Sequence, residues 1–165
     1  MRIPAAVAKM LSDQGVVYLA TSGKEGTPNV SPRTAYWLLD DETIAVCEWF
    51  RYRTYWNLQE NNSAAMAVVD LAAFEGWQLK GRCECVAEAG VIAKLLRKIM
   101  AEHVHARFNR VMQLHAGGHP PIIIKLRVQE VSPFAIGEPG QAAAPGGSPV
   151  RAAGKRNSNG REARE

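Results

Sequence analysis

Apolar residues along the chain recur with two spacings, one typical of strands and one typical of helices. Alternating or short β-branched runs predict six strands, and apolar residues three and four positions apart predict three helices. Short links between the strands favour an antiparallel sheet, and the modest length of the chain favours a sheet that closes, or nearly closes, into a barrel. The predicted strands are residues 16–21, 29–39, 43–49, 64–70, 76–88 and 122–131, and the predicted helices are residues 3–14, 52–61 and 91–114.

The predicted strands differ in the pattern of their two faces. Residues 16–21 and 64–70 are apolar almost throughout, which predicts burial of both faces. Residues 76–88 alternate instead, with Trp77 on one side and Gln78 on the other. That alternation predicts one dry side and one side that faces water or a ligand.

The junction between strand 43–49 and helix 52–61 holds the densest candidate chemistry. Arg51, Arg53 and Thr54 lie there. A helix N-terminus has free backbone N–H groups and the positive end of the helix dipole. Two guanidinium groups and a hydroxyl added to that end predict an anion site, most naturally for a phosphate. On spacing alone, a solvated basic turn explains the same residues equally well.

Composition narrows the class of protein. A chain of 165 residues, 47% hydrophobic and 22% charged, is typical of one soluble globular domain. Residues 137–165 are rich in Gly, Pro, Ala, Ser and Arg, and we expect them to be disordered because they bury too little apolar surface. We therefore expect a folded domain at residues 1–136. The tail has five basic and three acidic residues, so it carries +2 of the net charge of +4, and the remaining +2 makes nucleic-acid binding by the domain an unlikely function.

Features that the sequence lacks restrict the expected location of the protein and the chemistry that it could perform. No apolar run is long enough to cross a bilayer and the first residues lack the layout of a secretory signal, so we expect a cytoplasmic protein with no membrane partner. The three cysteines include no C-x-x-C pair and are expected to be buried thiols. The four histidines have no carboxylate or thiol at ligand spacing, so no metal site is predicted. No G-x-S-x-G, Walker or G-x-G-x-x-G motif is present.

Four blocks of sequence, taken together, are similar to one known family. They are residues 18–32 (YLATSGKEGTPNVSP), Arg53-Thr54 with Asn57, residues 76–81 (GWQLKG) and the closing strand at residues 122–132. In this order they resemble the FMN-binding split β-barrel proteins related to pyridoxamine 5′-phosphate oxidase. The resemblance covers about residues 3–134. It implies a mainly β (α+β) fold, a six-stranded antiparallel split β-barrel with flanking helices that forms a homodimer.

The resemblance also implies a cofactor site built from two chains, because FMN lies at the dimer interface in this family. Arg53 and Thr54 would hold the FMN phosphate with Arg33 as a second cation, and Asn57 would fix the short helix or reach the ribityl chain. Residues 31–33 would border the flavin, and backbone groups of residues 46–49 would reach its edge. The implied cofactor-binding residues are Ser31, Pro32, Arg33, Val46, Cys47, Glu48, Arg53, Thr54 and Asn57, with Trp77, Gln78 and Lys80 supplied by the partner chain.

The function implied is that of an FMN-dependent oxidoreductase, or a flavin electron carrier, acting on a small organic substrate or a redox partner. Catalytic residues remain unassigned. The family more often has Lys where Arg53 stands, and Arg keeps the charge and adds a fork suited to phosphate. True pyridoxamine 5′-phosphate oxidases end in an Arg-Leu-x-Pro type segment, which is absent here, so vitamin B6 oxidase activity is not expected. Alternatives are the same fold binding F420 or haem, a cofactor-free binding module, and nucleic-acid binding through the tail.

Overall fold

A computed structural model describes residues 1–102 and 121–135 of the chain. The predicted end of the long helix at residues 103–114 and the predicted tail at residues 137–165 lie outside the described residues. The described helices are α1 (Ala5–Asp13), α2 (Arg53–Glu60) and α3 (Ala89–Glu102). The described strands are β1 (Val17–Ser22), β2 (Pro28–Arg33), β3 (Tyr36–Leu38), β4 (Thr43–Glu48), β5 (Ser63–Asp70), β6 (Glu75–Val86) and β7 (Ile122–Ala135).

These strands form one antiparallel sheet in the order β2-β1-β5-β6-β7-β4-β3. The prediction of a single strand at residues 29–39 is wrong, because this segment is β2 and β3, which lie at opposite edges of the sheet. Only Thr34 and Ala35 connect them, a link that spans roughly 10 Å. The two edges must therefore meet at this point, and the sheet curls into an antiparallel barrel of seven strands rather than the predicted six. Alternation of polar and apolar residues stops at Arg33-Thr34, where five apolar residues follow at 35–39, but residues 29–39 contain no Gly and no turn motif that marks the change of strand.

The inside of the curled sheet holds the main hydrophobic core. Alternate residues of the predicted closing strand point inward, since Ile122, Ile124, Leu126 and Val128 are all fully buried in β7. Helix α1 packs against the same core with the residues that its helical spacing predicts. The other main members are Val7, Leu11, Val17, Leu19, Ile44, Val46, Leu58, Met66, Val68 and Leu79.

A second, smaller core lies on the other side of β3, β4 and β7. Helix α3 covers these strands with Ile92, Leu95 and Leu96. The strand residues beneath it are Trp37, Ala45, Cys47 and Ile123, with Trp49 from the segment after β4. Strand β4 and the first three residues of β7 are thus buried on both faces, which explains their runs of apolar residues.

The outward face of β2, β1, β5 and β6 is not covered by any described residue in this way, and we call it the open face. The prediction that residues 16–21 are buried on both faces is wrong, because Tyr18 is 44% exposed there. Residues 64–70 alternate similarly between buried and half-buried side chains. Strand pairing aligns two rows of side chains across the open face, Pro32, Tyr18, Ala67 and Gln78 in one row and Val30, Ala20, Ala65 and Lys80 in the other.

Gly81 lies at a shift of register between β6 and β7, and a larger residue at this position tests how closely the two strands approach each other. A Cβ atom built on Gly81 would collide with the backbone carbonyl group of Arg127, whose carbon would lie 2.8 Å away. We predict that Gly81→Ala lowers the free energy of unfolding by about 1–3 kcal/mol, because backbone must move to admit the methyl group. Urea denaturation measures this. Gly90→Ala is the control, since nothing lies within 4 Å of its added Cβ in α3 and the change should stabilise by up to about 1 kcal/mol. Equal effects would contradict the assigned register.

Candidate functional site

A buried ion pair joins the ends of two strands from opposite sides of the sheet. Arg33 ends β2 and Glu48 ends β4. Nη2 of Arg33 lies 2.7 Å from Oε2 of Glu48, and the two side chains are 13% and 2% exposed. The contact is ionic rather than a well-aligned hydrogen bond, since Oε2 has no hydrogen-bond partner among the described residues. Closure of the sheet thus brings together two charges that lie 15 positions apart in sequence.

The other oxygen of Glu48 is bonded to the turn that follows. Oε1 accepts hydrogen bonds from the backbone N–H groups of Phe50, at 2.9 Å, and Arg51, at 3.1 Å. Arg51 has a φ of 49°, in the left-handed region that side-chain-bearing residues seldom occupy. Both carboxylate oxygens are therefore engaged inside the protein. The side chain of Glu48 therefore stabilises the turn and the end of β2. None of the contacts that it makes with described residues indicates the predicted position beside a flavin.

Arg53 is placed quite differently. It is the first residue of α2, it is exposed, and it makes no ion pair with any residue of the described part of the chain. It lines a cavity of about 160 Å³ between α2 and the loop joining β1 to β2. Asn57 and Glu60 follow one and two turns later on the same side of the helix. The other residues of this cavity are Gly23, Glu25, Thr27, Pro28 and Asn29.

Thr54 lies beside Arg53 but faces a buried polar cluster. Its hydroxyl accepts a hydrogen bond from Nδ2 of Asn29 at 3.2 Å and lies 3.0 Å from Oγ of Ser31. Oγ1 of Thr21 accepts from Nδ2 of Asn29 and from Nδ2 of Asn57, each at 3.2 Å. Since Thr54 is only 3% exposed, its hydroxyl fixes α2 against β1 and β2.

Sequence reasoning did not find Thr21 and Asn29 as members of this cluster. Strand alternation contained the signal for Asn29. Residues 29, 31 and 33 of β2 are polar and half-buried, whereas residues 28, 30 and 32 are Pro, Val and Pro and are exposed. The structure therefore separates Pro32, on the open face, from its sequence neighbours Ser31 and Arg33.

Val46 and Cys47 lie in the middle of the sheet. Strand β4 is paired with β3 on one side and β7 on the other, and the N–H of Cys47 donates to the carbonyl of Ala35 at 2.9 Å. Burial raises the pKa of Cys47 to about 12 and that of Cys83 to about 12. Both thiols therefore stay protonated at neutral pH. The expectation of buried thiols is confirmed for Cys47 and Cys83, whereas Cys85 is only half-buried. The backbone of these β4 residues is largely used within the sheet.

The predicted residues of β6 divide between the two faces of the sheet. Trp77 packs against the main core, whereas Gln78 and Lys80 lie on the open face. Nζ of Lys80 lies 2.8 Å from Oε1 of Glu130 in an exposed ion pair. The structure thus brings Ser31, Thr54 and Asn57 together beside Arg53, but it places Gln78 and Lys80 on the opposite face of the sheet from that cluster.

Within residues 1–102 and 121–135, no group of three or more His, Cys, Asp or Glu side chains could hold a metal ion, and all four histidines lie outside that part of the chain. No helix in the same part is both long enough and apolar enough to span a membrane.

Comparison with known families identifies the fold. A family model described as pyridoxamine 5′-phosphate oxidase matches residues 3–134. The chain belongs to this family. The match covers all seven strands almost completely and includes both sides of the junction that carries Arg53. A search of curated protein sequences finds no significant match.

Solved structures of several proteins are similar to this member of the pyridoxamine 5′-phosphate oxidase family. HupZ of Group A Streptococcus has a TM-score of 0.65 at 20% identity, over 82% of this chain and 96% of that one. An FMN-binding protein from Syntrophomonas wolfei has a TM-score of 0.58 at 13% identity, over 81% and 86%. HutZ, described as the haem storage protein of Vibrio cholerae, has 0.57 at 18%, over 82% and 95%, and an F420 reductase also matches. At these identities the likeness establishes the fold, and the fold alone leaves the ligand open.

The different surroundings of the two arginines give a prediction about stability. Arg33→Met leaves Glu48 buried without its cation, and we expect the free energy of unfolding to fall by about 3–5 kcal/mol. Arg53→Met is the matched control and should change it by less than about 0.5 kcal/mol, because Arg53 is exposed and unpaired among the described residues. Chemical denaturation of both variants decides it. A similar loss in both would show that Arg33 is not the structural arginine.

Proposed function

We propose that the protein binds FMN and acts as an oxidoreductase on a small organic substrate, or relays electrons to a redox partner. The observation that carries this proposal is the position of Arg53. Membership of the family supports it, as does the likeness to a protein described as FMN-binding. Arg53 supplies an exposed guanidinium at the cavity between α2 and the β1–β2 loop, which is large enough for one phosphate group.

The local electrostatics of this cavity favour a phosphate close to Arg53. Tyr52, which precedes α2, provides no side-chain hydrogen bond to the first N–H groups of the helix. Those donors and the helix dipole attract an anion at the same end where the guanidinium lies. Glu25 and Glu60 also line the cavity and repel an anion, so a phosphate is favoured only close to Arg53. Asn57 follows on the helix and would contact the ribityl chain.

The other predicted cofactor residues take different parts in this proposal. Thr54 and Ser31 hold α2 in place through the polar cluster. Arg33 serves the fold, because its guanidinium is paired with Glu48. The bound flavin would supply the capacity to accept a hydride or electrons, while the chain binds the phosphate, orients the ring and excludes water.

We propose further that a second copy of the chain covers the open face. Its two rows consist of Pro, Tyr, Ala and Val side chains, with Gln78 and Lys80 at one end of each row. A contiguous apolar face of this kind on a soluble protein is typical of an interface between subunits. Such a homodimer would bring Gln78 and Lys80 towards the flavin of the partner, as the family resemblance implies.

The phosphate site is tested by the affinity of apoprotein for FMN. Arg53→Ala should weaken binding by about ten- to a hundred-fold, since a charge-assisted phosphate contact is worth about 1.5–3 kcal/mol. Arg97→Ala, which removes an exposed arginine from α3, should leave the affinity unchanged. Fluorescence titration with FMN measures both. Unchanged affinity in the Arg53 variant would remove this residue from the site.

The absorption spectrum of the purified protein distinguishes FMN from the other candidate cofactors, F420 and haem. The spectrum, before and after addition of NADH or NADPH, should show an oxidised flavin that becomes reduced if a nicotinamide is the electron donor. Released pigment that matches F420 or haem would replace FMN as the cofactor and leave the fold unaffected. A colourless protein that takes up none of the three would instead be a binding module.

The open face is tested by a charge placed at the β2 end of one of its rows. Val30 is 63% exposed in the single chain, so Val30→Glu should cost the monomer little. In a homodimer the same carboxylate would be buried without a partner at a cost of several kcal/mol, and the protein should become monomeric. Ala93→Glu, on the exposed side of α3, is the control. Sedimentation velocity gives the oligomeric state, and a dimer that survives Val30→Glu would place the interface elsewhere.

A further inference from the structure

We propose that Glu48 is a positioning residue of the phosphate site, which holds the turn that presents Arg53. This inference rests on the proposed function, because it concerns the same cavity. It assigns Glu48 a role that neither proton transfer nor flavin contact would give it. Glu48 is only 1% exposed, and both of its oxygens are engaged, one by two backbone N–H groups and the other by Arg33.

The turn between β4 and α2 is shaped around the Glu48 carboxylate. Strand β4 ends at Glu48 and α2 begins at Arg53, so four residues must redirect the chain between them. The N–H groups of Phe50 and Arg51 converge on one carboxylate oxygen, at 2.9 and 3.1 Å. Hydrogen bonds to a charged acceptor are stronger than those between neutral groups. The carboxylate therefore sets the path of the chain two residues before Arg53.

The same turn has a strained backbone at Arg51. Arg51 has a φ of 49°, and a residue with a Cβ atom keeps such a conformation only where its surroundings enforce it. The N–H that Glu48 accepts at 3.1 Å belongs to this residue. Tyr52 provides no side-chain cap for α2, so no cap at that position fixes where the helix starts. The polar cluster holds α2 from Thr54 onward, so the path of the chain into Arg53 depends on the turn.

Strand β2 contacts both sides of the junction between β4 and α2. Arg33 fixes the carboxylate of Glu48, and Ser31, two positions earlier on the same strand, contacts the hydroxyl of Thr54. The body of α2 is thus fixed by the polar cluster and by buried Leu58, while the turn before it is fixed by Glu48. Loss of the carboxylate would release the turn and leave the body of the helix in place. The expected defect is in phosphate recognition rather than in flavin binding as a whole.

The test compares FMN with riboflavin, which has the same ring and ribityl chain without the phosphate. Glu48→Ala should weaken FMN binding by about tenfold or more and riboflavin binding by less than about threefold, so that the preference for FMN falls. Glu48→Gln keeps an oxygen acceptor for the two N–H groups, and its preference should stay within about threefold of the original. A purely structural role would weaken both ligands together. An unchanged preference in Glu48→Ala therefore overturns the proposal.

Folding and the proposed function are checked separately. If Glu48→Ala fails to fold because Arg33 is left unpaired, the double variant Arg33→Met/Glu48→Ala removes that charge and receives the same titrations. Amide hydrogen exchange reports the turn without any flavin, and the N–H groups of Phe50 and Arg51 should be protected in the original protein and in Glu48→Gln but not where Ala replaces Glu48. Protection that survives removal of the carboxylate overturns the role of Glu48. A wild-type protein that does not prefer FMN to riboflavin, with the turn protected as expected, overturns the phosphate site itself.

Discussion

The two-residue link between β2 and β3 is the constraint on which the rest of the structure depends. It joins strands at opposite edges of the sheet, so the sheet has to curl until those edges meet. Curling creates an inside, which α1 and α2 complete with Val7, Leu11 and Leu58. It also brings the end of β2 against the end of β4, and the buried pair of Arg33 and Glu48 forms at that place. A buried pair of this kind adds little net stability, but the loss of either member is costly because the other charge remains buried.

Closure of the sheet also explains why Arg33 and Arg53, each followed by a threonine in the sequence, have different surroundings. Arg33 is drawn inside, where its charge is balanced by Glu48. Arg53 lies five residues after Glu48, at the exposed start of α2, and it forms no ion pair with any described residue. A cation that the fold does not use is available to a ligand. The strained turn at Arg51 connects Glu48, the partner of Arg33, to the exposed Arg53.

The remaining faces of the sheet follow the same reasoning. Helix α3 covers the outside of β3, β4 and the start of β7, where the strands are apolar on both faces. Strands β1, β2 and β5 are apolar on their outer face as well, yet no described residue covers them to the same degree. An apolar face made of small side chains and prolines is suited to a flat, close contact. The two halves of the proposed flavin site, Arg53 on one side and Gln78 with Lys80 on the other, would meet only through such a contact.

The sequence by itself determined the positions of the helices and of most strands, including the closing strand. Burial of one face is a local property, and it leaves a period of two residues in strands and 3.6 residues in helices. The sequence also located the junction at Arg53, since strand and helix patterns meet there. Only the tertiary structure showed that residues 29–39 cross from one edge of the sheet to the other, and that Arg33 is paired with Glu48. Those facts depend on how the sheet closes, and closure is set by contacts between distant strands that no local period records.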